Sequence, residues 1–407
     1  MYSTWGTCKG CRYNFQLNAE GWCGCCERNK PAILAHRLTE GEFCTRDPVH
    51  GWIRLPAFIK PVLNHPLFQR LYRISQVTSV ELVYTGANHT RGAHSLGAAY
   101  IAMAYCKHLF PDDPDVTRAV CVAALLHDVG HGPFSHSWDS TVYSKIYDPA
   151  DGEGMKKHGH DQHRFALVRH MAPLIDKIIP HERVLDIWRQ ATPQDTVLNL
   201  IVQGPFGGDR MDFVQRDALH SGTQHFGAVA WKRLVDNSSI RGDLLCFRYK
   251  VLADMVHAIR ARLHMYREVY LHRTAVAGTL LLERAIMEMT DEMNFVERTK
   301  DLEQFTLLND SILTEMALRG NNYALRYLHR KLPTLVWEHV GELHTPPEAE
   351  KNQVIKISKV RGYSEERLDN MIHIVDGDEI LDFSEALEKF HHGSLDMKTT
   401  ISRLYQL

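Results

Sequence analysis

The run Ala119–Leu126 followed by His127-Asp128-Val129-Gly130-His131-Gly132-Pro133-Phe134-Ser135-His136 constrains this chain more than any other stretch. An apolar segment delivers a histidine and a carboxylate side by side. Two glycines and a proline then stop the helix, because neither residue type sustains a helix interior. Three histidines and one aspartate thus fall within ten residues, beside a forced bend. A helix buried only for packing has no use for so many titratable groups. Paired with an upstream histidine and a downstream aspartate, the cluster predicts a metal-centred hydrolase site.

The upstream partner stands in His89-Thr90-Arg91-Gly92-Ala93-His94-Ser95. Behind it, residues 96–110 are apolar and alanine-rich, which predicts a helix buried on most sides, capped by Ser95 or a neighbour. Asp115 is the candidate cap of the helix ending in His127-Asp128. Downstream, residues 207–217 carry aspartates at 209, 212 and 217. On a helix Asp209 and Asp212 are neighbours, and Asp217 lies about one and a half turns beyond. His94, His127, Asp128 and Asp209 are the candidate metal ligands. Two imidazoles and two carboxylates suit Fe, Mn, Zn or Mg rather than a soft thiophilic ion. Such an ion lowers the pKa of bound water towards neutrality.

With 407 residues and 44% hydrophobic content, the chain can bury one large core or two ordinary ones. A net charge of −2 does not advertise polyanion binding, although 25 histidines favour borderline metals. Most of those histidines are expected on the surface. No charged-then-apolar signal layout opens the sequence, and no apolar stretch approaches the ~20 residues of a membrane span. The expectation is a soluble intracellular protein, cytoplasmic or nuclear, in which nine cysteines are reduced or metal-bound. Cys8-Lys9-Gly10-Cys11 and Cys23-Gly24-Cys25-Cys26 form two CxxC knuckles, so Cys8, Cys11, Cys23 and Cys26 are the expected ligands of a structural zinc, with Cys25 a competing fourth ligand. Such a module serves protein or nucleic-acid contacts.

Elsewhere, His65-Pro66 opens a helix whose Gln69, Arg70 and Arg73 form either a solvated face or a nucleotide contact. Residues 138–161 read as an irregular, lid-like segment. Residues 251–296 read as helical; Arg260, Arg262, Arg267 and Arg273 pair with Glu268 and Glu283 or grip phosphate. Residues 354–357 and 371–375 look like strands, and the tail from Ser384 like a helix. The expected organisation is a mainly α-helical fold: a four-cysteine zinc module over 1–30, a helical hydrolase domain over 31–330, and a mixed α/β lobe over 331–407.

The stretches Asp47-Pro48-Val49-His50-Gly51, Phe68-Gln69-Arg70-Leu71, His89 to Ser95, His127 to His136, Asp209 to Asp217 and Tyr270-Leu271-His272-Arg273 resemble the HD-domain phosphohydrolases, and within them the deoxynucleoside triphosphate triphosphohydrolases. That resemblance implies an HD-type helical fold. It implies cleavage of a dNTP, carried with Mg²⁺, to a deoxynucleoside and inorganic triphosphate. By position, His94, His127, Asp128 and Asp209 would hold the metal. His136 would protonate the departing 5′ oxygen, oriented by Asp139; His131 and His160 would contact the phosphates. Arg91 would lie beside the α-phosphate, Gln76, Val77 and Asp217 beside the sugar, and Arg262 on the phosphates. Asp212, Phe213 and Tyr270 complete the implied substrate set. Phe213 stands where the family has a tyrosine, so one hydroxyl contact to the sugar is missing. Asp47, Gln69 and Tyr72 mark the family's regulatory nucleotide site, with Tyr72 replacing an arginine there. The resemblance thus implies a GTP or dNTP activator and a dimer or tetramer. The alternatives are an HD phosphohydrolase for another nucleotide and a nucleotide-sensing or nucleic-acid-binding scaffold.

Overall fold

The computed structural model describes residues 4–7, 14–17, 41–147, 159–342, 344, 346–350, 352–361, 365–392 and 398–407. Cys8, Cys11, Cys23 and Cys26 lie outside the described residues, as do residues 148–158 of the expected lid. Strands β1 (Thr4–Thr7) and β2 (Asn14–Leu17) pair antiparallel.

Most of the remainder is helical. Thr90 opens the Arg91–Leu109 helix, its hydroxyl accepting from the Ala93 amide at 3.4 Å. The helix therefore starts five residues before the expected Leu96, because Thr90 rather than Ser95 is in extended conformation and free to cap. His94 consequently sits in the first turn. The next helix, Pro114–Leu126, is capped by Asp113, which accepts from Val116 N at 2.9 Å; Asp115 instead pairs with Arg118 within the first turn. The Arg91–Leu109 helix packs against Pro114–Leu126 on one side and Gly208–Ser221 on the other. This sandwich brings the three sequence-distant ligand segments together.

One buried apolar cluster runs from Ile53 and Leu55 through Leu125, Trp138 and Trp188 to Phe383 and Leu387. Each fully buried aliphatic side chain contributes about 1.5–3 kcal/mol, which offsets the cost of the polar groups buried at the site. Strands β3 (Glu42–Asp47) and β4 (Gly51–Pro56) form a hairpin. The hairpin β5 (Ser238–Arg241) and β6 (Leu244–Arg248) is extended by β9 (His373–Asp376) and β10 (Glu379–Asp382), with β6 and β9 parallel. A second sheet has β11 (Lys398–Gln406) between β7 (Thr334–Gly341) and β8 (Gln353–Arg361).

Three expectations are refined or corrected here. Residues 251–296 are largely helical, as expected, but not as one helix. The Leu252–His264 helix runs into a wider turn over Met265–Tyr270, where Leu271 N reaches back five residues to Tyr266 O, and a new helix starts at Arg273 with His272 as its cap. Wide turns of this kind re-aim side chains at sites. The tail is helical only over Phe383–Lys389 and ends in β11, the central strand of its sheet. Arg70 is neither solvated nor available to a nucleotide. It is 1% exposed, lies over the Phe305 ring, and donates to the carbonyls of Phe305 and His131. Its short helix Pro66–Gln69 tightens into a 3-10 turn at Arg70–Arg73, which swings the guanidinium inward.

Candidate metal centre and active-site cavity

His94 and His127 face each other across the junction of their helices, Nε2 to Nε2 at 3.2 Å. Asp209, in the first turn of the Gly208–Ser221 helix, brings Oδ1 to 3.3 Å from His94 Nε2 and 3.7 Å from His127 Nε2. These three residues offer ligand atoms within 4.8 Å of one another. Asp128 lies beside them, with Oδ1 3.4 Å from His127 Nε2 and Oδ2 3.9 Å from His94 Nε2, and it also binds Arg91 Nη1 at 2.5 Å.

The hydrogen bonds behind the two imidazoles decide which nitrogen carries the proton. His127 Nδ1 donates to the Ala124 carbonyl at 2.7 Å, and His94 Nδ1 donates to Asp212 Oδ2 at 2.8 Å. In the neutral rings both Nε2 atoms then carry lone pairs that point at each other and at a carboxylate. Only positive charge reconciles them: a proton or a metal cation. Burial opposes a charged His94, yet its hydrogen bonds to Asp209 and Asp212 prevail and push its pKa up to about 10. Burial likewise opposes a charged Asp209, but His94 and the nearby His127 and Arg210 hold it well below the usual carboxylate range. Burial keeps His127 neutral, which is the form that binds a metal. The donor set fits a divalent cation of the borderline class.

Asp212 was expected against substrate. It is instead 0% exposed, behind His94, where its carboxylate also meets His50 Nε2 at 2.6 Å and Arg216 at 2.8 and 2.9 Å. Carboxylates behind metal-ligating histidines orient the ring and raise its basicity. Gly97 makes the approach feasible, since a Cβ there would lie 1.8 Å from Asp212 Oδ1.

A second group forms around Asp139. Its Oδ2 meets His136 Nδ1 at 3.1 Å and His160 Nδ1 at 2.7 Å, while His131 stacks on His160 with ring centroids 3.8 Å apart. Burial opposes charge on His160, but Asp139 and Asp161 raise its pKa; burial, with Arg91 and His160 nearby, holds His131 well below its usual value. The Gly159–His170 helix can reach this position because Gly130 has no side chain: a Cβ there would lie 2.1 Å from the His160 carbonyl.

His94, Asp128 and Asp209 of the first group and His131, His136 and His160 of the second line one cavity of about 760 Å³. Its wall includes the expected Gln76, Val77, Arg91, Phe213, Asp217, Arg262 and Tyr270. Asp217 accepts from Tyr270 Oη at 2.5 Å and meets His89 Nε2 at 2.7 Å. Residues not anticipated from the sequence also line it: Arg210, Tyr266, Glu283, Lys356 and Arg367. Arg210 could have been suspected from its place beside Asp209. Lys356, from β8, is held by Glu283 at 3.2 Å and carries no local signal. Asp47, Gln69 and Tyr72 are elsewhere. Asp47 binds Arg216 and the amides of Val49 and His50, Gln69 donates to Leu63 O, and Tyr72 is 38% exposed.

Residues 91–201 match the family model of the HD domain. The chain is 26% identical over 284 residues to the deoxynucleoside triphosphate triphosphohydrolase SAMHD1 homolog of Dictyostelium discoideum, covering 66% of this chain and 53% of that protein. It is 26% identical over 344 residues to the human deoxynucleoside triphosphate triphosphohydrolase SAMHD1, covering 71% and 54%. An uncharacterized protein of Methanocaldococcus jannaschii is 29% identical over 291 residues, covering 70% and 57%. The chain thus spans about half the length of the curated relatives it matches. A crystal structure of a phosphohydrolase from Bacteroides thetaiotaomicron shares the fold, with a TM-score of 0.75 at 23% identity over 90% of this chain and 100% of that one.

Proposed function

We propose that this member of the HD-domain, dNTPase-like family is a metal-dependent triphosphohydrolase that converts a dNTP to a deoxynucleoside and inorganic triphosphate, and so lowers dNTP pools. The observation that carries this reading is the close approach of His94 Nε2 to His127 Nε2, closed by Asp209, with His94 and Asp209 on the wall of a cavity that His136, paired with Asp139, also lines.

His94, His127 and Asp209 would hold the ion, with Asp128 as fourth ligand. Once bound, the ion supplies Lewis-acid polarisation and a water of lowered pKa. Water attacks the α-phosphorus and gives up a proton to solvent, the bond to O5′ breaks, and protonated His136 gives its Nε2 proton to the leaving oxygen. Asp139 accepts from His136 Nδ1 and so stabilises the charged ring that donates. Arg91 balances the α-phosphate, and His131, His160 and Arg262 receive the rest of the triphosphate, with its Mg²⁺. Gln76, Val77, Asp217 and Tyr270 border the sugar.

A second reading, an HD phosphohydrolase for ribonucleotides or another nucleotide, is favoured by Phe213, which presents a ring without a hydroxyl to the cavity. Incubation of the purified chain with each dNTP and NTP, with Mg²⁺ or Mn²⁺ and with or without GTP, decides between them when triphosphate and nucleoside are separated chromatographically. No triphosphate from any nucleotide defeats the first reading. A GTP or dNTP activator and a dimer or tetramer belong to the same proposal. An activator on Asp47 would have to displace Arg216 from it, and Gln69 would have to leave Leu63 O. A structural zinc at Cys8, Cys11, Cys23 and Cys26, serving protein or nucleic-acid contacts, is a further part of it. No helix among the described residues is long and apolar enough to cross a membrane.

A further inference from the structure

Asp310 lies far along the chain from every residue assigned above, and outside the segment matched by the HD family model. Its two carboxylate oxygens each accept one backbone amide from a different segment. Oδ2 accepts from Ser75 N at 2.8 Å, and Oδ1 from Phe134 N at 2.7 Å. Its own amide donates to Arg73 O at 3.2 Å. The two segments so joined are those that bring Gln76 and His136 to the cavity.

The turn at Phe134 and Ser135 needs such a restraint. Both residues are non-glycine and both have positive φ, 55° and 53°. Side chains rarely adopt that region, and two in succession persist only when the surroundings fix them. The bonds around Asp310 supply the fixing. Ser135 Oγ donates to Ser75 O at 3.1 Å and accepts from Arg91 Nε at 2.7 Å, and Thr78 Oγ1 donates to Phe134 O at 3.1 Å. Arg91 N donates to Ile74 O at 3.0 Å. The result is a closed circuit from Asp310 through Ser75 and Ser135 to Arg91, with His136 as the residue that leaves the turn. A carboxylate suits this place and an amide does not, because both oxygens must accept.

We propose that Asp310 is a positioning residue: it clamps the Ser75 and Phe134 segments together and thereby sets where His136 and Arg91 meet the substrate. The consequence for catalysis rests on the triphosphohydrolase reading; the clamp itself does not. Asp310→Asn replaces one acceptor with an NH₂ group facing a backbone N–H and keeps the side chain's shape. Hydrogen exchange of the full chain should then show about tenfold or greater loss of amide protection confined to residues 73–78 and 132–136. Unchanged protection there overturns the clamp. Turnover should fall by about ten- to a hundredfold with KM and Mn²⁺ affinity changed less than about threefold, because Asp310 hydrogen-bonds the Ser75 and Phe134 amides and no metal ligand, and acts on Arg91 and His136 only through the turn. Equal kcat, or a KM effect alone, overturns the positioning role. Should Asp310→Asn not fold, Asp310→Glu, which keeps two acceptors but shifts them, is read the same way. If the unaltered protein turns over no nucleotide, the triphosphohydrolase reading fails, and the exchange data still decide whether Asp310 clamps the turn.

Discussion

His94 is held from behind by Asp212, Nδ1 to Oδ2 at 2.8 Å, while its Nε2 faces His127 and Asp209. One carboxylate of the Gly208–Ser221 helix thus orients the ring, and another, one turn earlier, could hold a metal ion together with it. Asp212→Asn keeps an acceptor for Nδ1 but removes the charge that Arg216 and His50 also use. Metal affinity should fall by about 10- to 100-fold. Titration with Mn²⁺, followed by calorimetry, checks it; an unaltered Kd would show that the ring is oriented by packing alone.

His136 is the exposed member of the Asp139 group, with 72% of its side chain accessible. Replacing it should cost activity without costing the fold. His136→Ala is expected to lower kcat by about 10²–10⁴-fold, with the melting temperature and bound metal unchanged. A variant that retains wild-type turnover removes His136 as the proton donor.

Lys356 reaches the cavity from β8 and is fixed by Glu283. The structure gives it the wall rather than the reacting centre, so it should bind substrate and transition state alike. Lys356→Ala is expected to raise KM about tenfold at nearly constant kcat, the signature of uniform binding. Steady-state kinetics distinguish this from a fall in kcat, which would place Lys356 at the chemistry.

His163 is a buried base with its Nδ1 2.6 Å from Tyr147 Oη. Burial, with Arg70 nearby, lowers its pKa to about 3. The unfolded chain binds a proton there near pH 6.5, the folded chain does not, so stability is full above that value and is lost as pH falls towards 3. Each unit below about 6.5 removes up to about 1.4 kcal/mol. Urea unfolding at about pH 7 and about pH 5, either side of the ordinary histidine pKa, should show the loss in the wild type and a smaller one in His163→Gln. Identical losses in the two would assign the acid sensitivity to other groups.

Much of the site was legible because its signals are local. The His127-Asp128 pair follows an uninterrupted apolar helix and precedes residues that cannot continue it, so backbone chemistry alone marks the bend. Asp209 could be placed because a helical spacing puts it one turn from Asp212. Periodicity reports which face a side chain takes, however, not what meets that face. Arg70 was misplaced for this reason: it looked like a polar group seeking solvent or ligand, and it found buried partners far away in sequence. Asp212, placed against substrate by the resemblance, is instead buried against His50, His94 and Arg216. Capping was misjudged where several polar residues stood in a row, since Thr90 and Asp113 win only once the chain's entry angle is known.

The sequence by itself marked the candidate ligand types and the helix stop after Leu126, because these are read from residue types within one or two turns, and the pairing of His136 with Asp139 came from the resemblance to a family. Tertiary structure alone decided the tautomers of His94 and His127, the clamp at Asp310 and the arrival of Lys356 from a late strand. Those depend on long-range hydrogen bonds and charge pairs, whose partners are chosen only when helices and sheets pack.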